Sequence, residues 1–362
     1  MSTAIKPERF PWFDYSKYTF SLGLDLGGGT AVLSGHTASE FDPESRRIVV
    51  RGTLADQVRT AYNKIEAILE GAGLSLADVV RVCEYVKVSA IDDYGEIERV
   101  RSAMLLGANP TVNTVAVDAL LRPDALLEIE VMAKKGGAED PFDGVVYLPS
   151  LEVGDASDLE QQANSVYDRA AALLSDLGLS LTDVTKTLTS LPIGNLEAYE
   201  PVARDLGGRL GDVAPAATII VARRLRSPQA RIQVDMIASR KPAESIGAVP
   251  DNRSASTAVR AGRVLFMSGV RAAGGGVDVL ADAERIYSAI GAVLKGAGAG
   301  TEALVKTNEY VVPAALQGYR GVAEVRSRHL SEPYPSSTGL VVPEIRDGGL
   351  IEVDPIAVLA GR

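Results

Sequence analysis

Cysteine is almost missing from this 362-residue chain, with Cys83 as its only example. An internal disulfide and a cysteine-rich zinc site are therefore excluded, and the count fits a reducing compartment. Histidine is nearly as scarce, confined to His36 and His329. No apolar run approaches the ~20 residues of a membrane-spanning helix. The N-terminus lacks the basic-then-apolar order of a signal peptide, so a cytoplasmic location is expected. Positive charge is also short, with 37 Lys and Arg against 47 Asp and Glu and a net charge of −10. Lacking a concentrated basic patch, the chain is not expected to bind nucleic acid or an anionic membrane.

Aromatic residues make up only 5 % of the chain, yet Phe10, Trp12, Phe13, Tyr15, Tyr18 and Phe20 all fall between positions 10 and 20. Leaving them in water would be costly. Residues 1–19 are therefore expected to form an ordered arm, either a strap over a neighbouring repeat or a lid over a ligand. The stretch that follows, GLDLGGGTA at residues 23–31, is similar to the first phosphate loop of sugar kinases with the actin-like fold. Further nucleotide motifs are missing, and a hairpin turn leading into a strand over residues 30–37 is the favoured reading.

What the chain does have is one pattern written three times without gaps. AYNKIEAILEGAGLSLADVVRVCEYVKVSAIDDY occupies residues 61–94, and its copies occupy residues 166–199 and 286–319. Tyr62, Tyr167 and Tyr287 coincide, as do Gly73, Gly178 and Gly298, and then Tyr94, Tyr199 and Tyr319. A module of roughly a hundred residues is used three times, far longer than a solenoid repeat. In each copy apolar residues at helical spacing predict an amphipathic helix with core tyrosines. A glycine stop follows, then a strand in which Val80, Val82, Val86 and Val88 alternate with Arg81, Cys83, Tyr85 and Lys87. A second helix is expected near Tyr94, Tyr199 or Tyr319, and two β-rich segments close each copy. Residues 42–45 are expected to turn the chain so that residues 47–52 return beside the first strand. The second copy skips this hairpin and runs almost directly into its helix at Ala156. Residues 134–143 and 241–254 read as linkers.

The module resembles the RidA family, also called YjgF/YER057c/UK114, of imine and enamine deaminases. Its matching pieces are Ser34-Gly35 and Ser268-Gly269 at a strand end, AGLSLADVVRV at residues 72–82, and a late Pro and Thr before a strand. LLEIEVMA, RIQVDMIA and LIEVDPIA, which close the three copies, match as well. The resemblance implies an α+β chain of three RidA-like (chorismate-mutase-like) ββαβαββ modules at residues 20–135, 143–241 and 255–362. It also implies an intramolecular pseudo-trimer with a central β-barrel-like core, outer helices and ligand clefts between modules. A monomer acting on a small molecule, without cofactor or metal, is expected.

Members of that family place an arginine before the late Thr or Ser to grip a substrate carboxylate, and here the resemblance puts Asn113, Ala217 and Ser337 at that place. Its closing-strand glutamate matches Glu128 and Glu352, with Gln233 in the middle copy. The candidate catalytic residues are thus Glu128, His36 and Glu352, His36 because a neutral imidazole beside the site can act as a base. Candidate substrate-binding residues are Ser34, Gly35, Asn113, Thr114, Glu84, Ser268, Gly269, Ser337 and Glu309. Glu84 and Glu309 interrupt apolar strand faces, where a charge needs a partner, and a structural salt link is the competing reading for them. Arg223, Arg224 or Arg271 are the candidates to replace the missing arginine. The expected activity is hydrolysis or isomerisation of an imine, enamine or related cyclic metabolite. Chorismatase-like chemistry and non-catalytic ligand binding are the alternatives.

Overall fold

The computed structural model describes residues 2–10, 13–137, 139–155, 157–247, 255–272 and 274–361. Trp12, Ala156 and residues 248–254 of the expected linker lie outside them. The first module begins with β1 (Thr3–Ala4), β2 (Gly23–Asp25) and β3 (Thr30–Leu33), joined antiparallel in that order. Gly27, Gly28 and Gly29 have φ of 76°, 61° and 70°. Three successive left-handed residues are tolerable only for glycine, so GLDLGGGTA is a hairpin turn as expected. β4 (Ser39–Asp42) and β5 (Arg47–Val50) form a separate two-stranded sheet. The expected return of residues 47–52 along residues 30–37 is therefore corrected: β2 and β9 already occupy both edges of β3.

The module continues with α1 (Leu54–Glu70), β6 (Val79–Lys87), α2 (Tyr94–Met104), β7 (Thr111–Val117), β8 (Ala119–Leu120) and β9 (Leu127–Lys134). α1 starts where Thr53 and Asp56 cap each other reciprocally, satisfying amide groups that have no partner inside the helix. Its apolar stripe, Val58, Ala61, Tyr62, Ile65, Ile68 and Leu69, is fully buried. Each Ile or Leu on that face stabilises by about 1.5–3 kcal/mol through removal from water.

The second module comprises β10 (Val145–Tyr147), β11 (Leu151–Glu152), α3 (Leu159–Asp176), β12 (Val184–Pro192), α4 (Leu196–Gly207), β13 (Ala216–Ala222) and β14 (Gln233–Ser239). α3 begins at Leu159 rather than near residue 156, because the reciprocal cap is Asp158 with Gln161.

The third module comprises β15 (Ala243–Ile246), β16 (Ala258–Ala261), β17 (Val264–Met267), β18 (Val270–Arg271), α5 (Val279–Gly296) and β19 (Leu304–Val311). It ends with α6 (Leu316–Tyr319), α7 (Val322–His329), β20 (Ser336–Val341) and β21 (Ile351–Val358). Part of the expected linker at 241–254 is thus a strand: β15 covers the free edge of β16, as β1 covers β2.

The sheets run β1-β2-β3-β9-β6-β7, β10-β14-β12-β13 and β15-β16-β17-β21-β19-β20-β8. In each, the strand after the first helix pairs parallel with the strand after the second and antiparallel with the closing strand. The fold is mixed α+β. Among the described residues no ladder closes the three sheets into a barrel, because neighbouring modules share only short pairings. β8 of the first module pairs with β20 of the third, and single bridges join Ser21 to Ser336 and Ala216 to Ser256. Ser150 N donates to Val112 O at 3.3 Å between the first and second modules. The modules therefore touch in the order one to two, two to three and three to one.

The arm is ordered over its described part and straps the first module. Ile5 N donates to Gly23 O at 2.8 Å, and its side chain is 3 % exposed. Phe13 stacks on Tyr18 at 4.5 Å and meets Tyr15 edge-on at 4.8 Å, while Phe10, Phe13, Tyr15 and Phe20 pack against the α1 core.

Candidate functional site

Alternation on the inner strands places a cation at the same position of each module: Arg81 on β6, Lys186 on β12 and Lys306 on β19. The facing carboxylates Glu130, Asp235 and Asp354 stand on β9, β14 and β21, where the ladders set them opposite Cys83, Leu188 and Asn308. The ion pairs cross between modules. Lys306 Nζ lies 2.6 Å from Glu130 Oε2 of the first module, and Lys186 pairs with Asp354 of the third. Arg81 Nε instead donates to Asn113 Oδ1 at 3.0 Å, and Asp235 accepts from Ser150 Oγ at 2.5 Å. Burial works against ionising Glu130, but Lys306 and Thr338 outweigh it and hold the carboxyl below its ordinary value. Burial raises Asp235 to about 6 against Ser150 and Arg81. A cavity of about 50 Å³ lies among these six charged side chains, with room for water but not for a metabolite.

The ladders also align the late polar residues. Cys83 pairs with Asn113, Leu188 with Thr218 and Asn308 with Thr338, and each of these partners accepts from its module's cation at 2.9 or 3.0 Å. Asn113 is therefore the counterpart of the threonines, and the place before them holds Val112, Ala217 and Ser337. Matching Thr114 to the other threonines shifts the first copy by one residue. The conclusion that no copy has arginine there is unchanged.

Two of the seams between modules have equivalent architecture, and they are the candidate clefts. Between the third and first modules, Ser34 Oγ donates to Ser21 O at 2.6 Å and accepts from Ser337 N at 2.8 Å, while Gly35 N donates to Thr338 Oγ1 at 3.0 Å. Between the second and third, Ser268 Oγ donates to Ser256 O at 2.6 Å and accepts from Ala217 N at 2.8 Å, and Gly269 N donates to Ala217 O at 3.1 Å. Glycine leaves room for the carboxyls at both places: a Cβ on Gly35 would meet Glu128 Oε1 and the Thr338 methyl group, and one on Gly269 would meet Glu352 Oε1, so a side chain there would displace the glutamate. Glu128 and Glu352 are 8 % and 1 % exposed. Neither forms a hydrogen bond or ion pair among the described residues, and Glu352 Oε1 is enclosed without a partner. Burial pushes the Glu128 carboxyl up to about 8 against Lys306, with Glu130 adding to the rise. Burial likewise raises Glu352, opposed by Arg346 and Arg271.

The third seam, between the first and second modules, is filled by its own side chains. Ser150 sits where the other copies have Gly35 and Gly269, and its Oγ accepts from Thr114 N at 2.9 Å. Gln233 takes the glutamate position and donates to Thr114 O at 2.7 Å. Asn113 Nδ2 donates to Leu148 O at 3.0 Å. Asn113 and Thr114 are thus brought together with Ser150 and Gln233, not with Glu128.

The other candidates lie outside these clefts' direct contacts. His36 bridges Ile129 through its backbone, and its ring turns to Leu22 O, with Nε2 at 3.1 Å. A carbonyl can only accept, so Nε2 carries the proton. Burial, then Lys64, lowers its pKa to about 3, so it is neutral near pH 7. Glu84 is fully buried and receives Arg101 and the Tyr94 hydroxyl, each at 2.7 Å, with Tyr94 Oη also 2.7 Å from Thr114 Oγ1. Glu309 receives Tyr287 at 2.5 Å and Tyr319 at 2.6 Å, with Arg326 Nε at 3.5 Å. Both have the geometry of structural salt links. The suggested replacement cations are engaged elsewhere: Arg223 with Asp118, Arg224 with Asp92 and Arg271 with Asp347. The cation that sequence reasoning missed is Arg346, whose Nε is enclosed without an acceptor among the described residues. Cys83 is buried and its thiol is pushed upward by that burial, so it is inert. Among the described residues no cluster of His, Cys, Asp and Glu is arranged to hold a metal ion, and no helix is long and apolar enough to cross a membrane.

Known proteins agree with this architecture. The profile of the endoribonuclease L-PSP family matches residues 15–135 and 249–359, leaving the whole middle module unmatched. A RutC family protein of Pyrococcus horikoshii is 37 % identical over 95 residues, which are 26 % of this chain and 72 % of that protein. A RutC family protein of Saccharolobus solfataricus is 36 % identical over 94 residues, covering 26 % and 71 % respectively. Among solved structures, a chorismatase superposes with a TM-score of 0.53 at 16 % identity, over 78 % of this chain and 93 % of its own, a likeness of fold. With its profile matching well over half of the residues, the chain belongs to the endoribonuclease L-PSP family, the RidA or YjgF/YER057c/UK114 family.

Proposed function

We propose that the chain is a covalent pseudo-trimer and a small-molecule enzyme, working in the clefts between its third and first and its second and third modules. In this reading Glu128 and Glu352 are the general acid/base groups. The observation that carries it is their shared geometry: a buried carboxyl with no hydrogen-bond partner, laid over a glycine on a seam between modules. Such a group is costly as a structural element and useful as a proton carrier, the more so with Glu128 held at about 8. The middle copy supports this by contrast, since Gln233 cannot carry a proton and its amide is committed to Thr114 O.

The substrate class is an imine, an enamine or a related cyclic metabolite. At Glu128, the neutral carboxyl protonates the enamine carbon to give an iminium ion, its conjugate base takes the proton of the water that adds to the C=N carbon, and the same proton passes to the nitrogen as the C–N bond breaks. Without an arginine at Val112, Ala217 or Ser337, simple amino-acid-derived imines such as 2-iminopropionate should be turned over poorly. A second reading, action on a cyclic acid in the manner of the chorismatases, is favoured by the alignment of nearly a whole chorismatase chain across more than one module. The test is turnover of a panel of imines, enamines and cyclic enol ethers by the wild type and by a Glu128→Gln, Glu352→Gln double variant. General acid/base help is worth about 10²- to 10⁴-fold, so a loss on that scale is expected. Undiminished turnover in the double variant sinks the proposal.

A further inference from the structure

We propose that the chamber among the six inner charged side chains binds a small monovalent inorganic anion, a halide such as chloride, held by Arg81 of the first module and Asp235 of the second. The site is separate from the two candidate clefts and stands whether or not they are catalytic.

The pairing rule around the chamber is broken once. Lys306 of the third module reaches Glu130 of the first at 2.6 Å, and Lys186 of the second reaches Asp354 of the third. The same step from the first module to the second would join Arg81 to Asp235. Both line the chamber, yet among the described residues each is bound elsewhere. Arg81 Nε donates to the neutral Asn113 amide at 3.0 Å, and its guanidinium lies 4.8 Å from the centre of the Tyr147 ring. Asp235 is 3 % exposed; its Oδ1 accepts from Ser150 Oγ at 2.5 Å, and its Oδ2 is enclosed without a partner. A guanidinium cannot shed its proton, and a charge inside a protein is unfavourable without a counter-ion. Glu130 and Asp354 are committed to the lysines, so they do not supply one for Arg81.

The groups left over are donors. Burial raises Asp235 to about 6 against Ser150 and Arg81. Once protonated, Asp235 can donate through Oδ2, and three cations then face the two carboxylates Glu130 and Asp354. Asn308, which also lines the chamber, has its amide nitrogen 2.7 Å from Tyr85 Oη and its Oδ1 enclosed without a partner. Turning that amide over lets Oδ1 accept from the tyrosine and frees the NH₂ group to donate. The other titratable neighbours do not compete: burial pushes Cys83, Tyr85 and Tyr147 upward, so they stay neutral, and Glu130, Lys306, Lys186 and Asp354 face the chamber as ion pairs. The volume of about 50 Å³ exceeds the ~10–15 Å³ that one water needs, and a second cavity of about 40 Å³ meets it at Arg81, Glu130 and Lys306. A monatomic anion with a water beside it fits there.

Proton and anion should therefore bind together. With Asp235 at about 6, its protonated form falls from most of the protein at pH 5 to about 1 % at pH 8, so affinity should drop by roughly 10- to 100-fold over that range. Chloride binding to the full chain is read from the excess line width of the chloride NMR signal. Saturable broadening that bromide displaces is expected at pH 5, and much weaker broadening at pH 8. Arg81→Gln should abolish it, whereas Asp235→Asn, which keeps a donor but cannot titrate, should bind equally at both pH values. Thermal unfolding reports whether each variant is folded. If Arg81→Gln does not fold, crystals of the wild type in sodium bromide decide: an anomalous peak beside Arg81 supports the site, and a chamber without one overturns it. No saturable broadening at pH 5 up to about 500 mM chloride, far above a millimolar dissociation constant, overturns the proposal and leaves the chamber to water. So does binding that survives in a folded Arg81→Gln variant, or a pH dependence that persists in Asp235→Asn.

Discussion

Glu128 and Gln233 stand at equivalent ladder positions and differ by one amide, yet one is an unpartnered carboxyl and the other is tied to Thr114 O. Glu128→Gln should therefore lower turnover by about 10²- to 10⁴-fold, with Glu352→Gln giving a smaller loss if the first cleft carries more of the flux. Gln233→Ala should leave turnover intact but cost about 1–3 kcal/mol in denaturant unfolding, because it strands a buried carbonyl. Glu128 also sets a pH signature. Its folded pKa, about 8, lies above the ordinary 4.5, so the native state holds the extra proton between those values. Its stabilising contribution is complete below about 4.5 and is lost as pH rises through about 8. Between pH 5 and 9 the wild type should lose stability more steeply than Glu128→Gln, and parallel curves would show that the carboxyl is not held neutral.

At the scale of elements, the N-terminal arm and β15 do the same job on different modules, each covering the free edge of an opening hairpin. The arm adds apolar packing. Ile5 rests against Gly23 and Gly71, where a side chain larger than hydrogen would crowd it. Ile5→Ala should cost about 2–5 kcal/mol, measured by chemical denaturation, because the cavity it leaves is lined by α1 and β2 and cannot collapse freely. Deleting residues 2–18 should lower the melting temperature, and an unchanged value would mean that the aromatic cluster of Phe13, Tyr15, Tyr18 and Phe20 adds nothing to the first module. The trimmed start of the second module belongs to this scale too. It has no counterpart of β2, yet its first strands β10 and β11 both lie along β14 just as β17 and β18 lie along β21, and in that shared register Ser150 occupies the place of the cleft glycine.

Across the whole molecule, the cations of β12 and β19 answer carboxylates of the next module, so the seams are electrostatic as well as apolar. The Lys306 and Glu130 side chains are each 9 % exposed, and removing one partner strands the other. Lys306→Met should destabilise by about 3–5 kcal/mol, with much of the loss regained when Glu130→Leu is added. If the single variant unfolds with the wild-type midpoint, the seam is not held by this pair. The cyclic contacts also predict a compact monomer in small-angle scattering, and three separated beads or an obligatory trimer of the whole chain would contradict it.

The helices, the inner strands and their threefold recurrence were legible in the sequence because periodicity and glycine stops are local properties. The α1 stripe is buried as its spacing implies, Tyr62, Tyr167 and Tyr287 are core, and GLDLGGGTA is a turn because three glycines can all take positive φ. Glu128, Glu352 and the two Ser-Gly pairs were found because each lies in a repeated motif. Which strand pairs with which was not legible: β2 and β5 are both plausible partners for β3, and only the competition for its two edges decides between them. The one-residue shift at Asn113 is invisible in letters and plain in the ladder. Seams assembled from two modules and the closing of the third by Ser150 and Gln233 depend on contacts between residues far apart in the chain. Burial and charge pairing there are properties of the assembled interior, so only the tertiary structure could decide them.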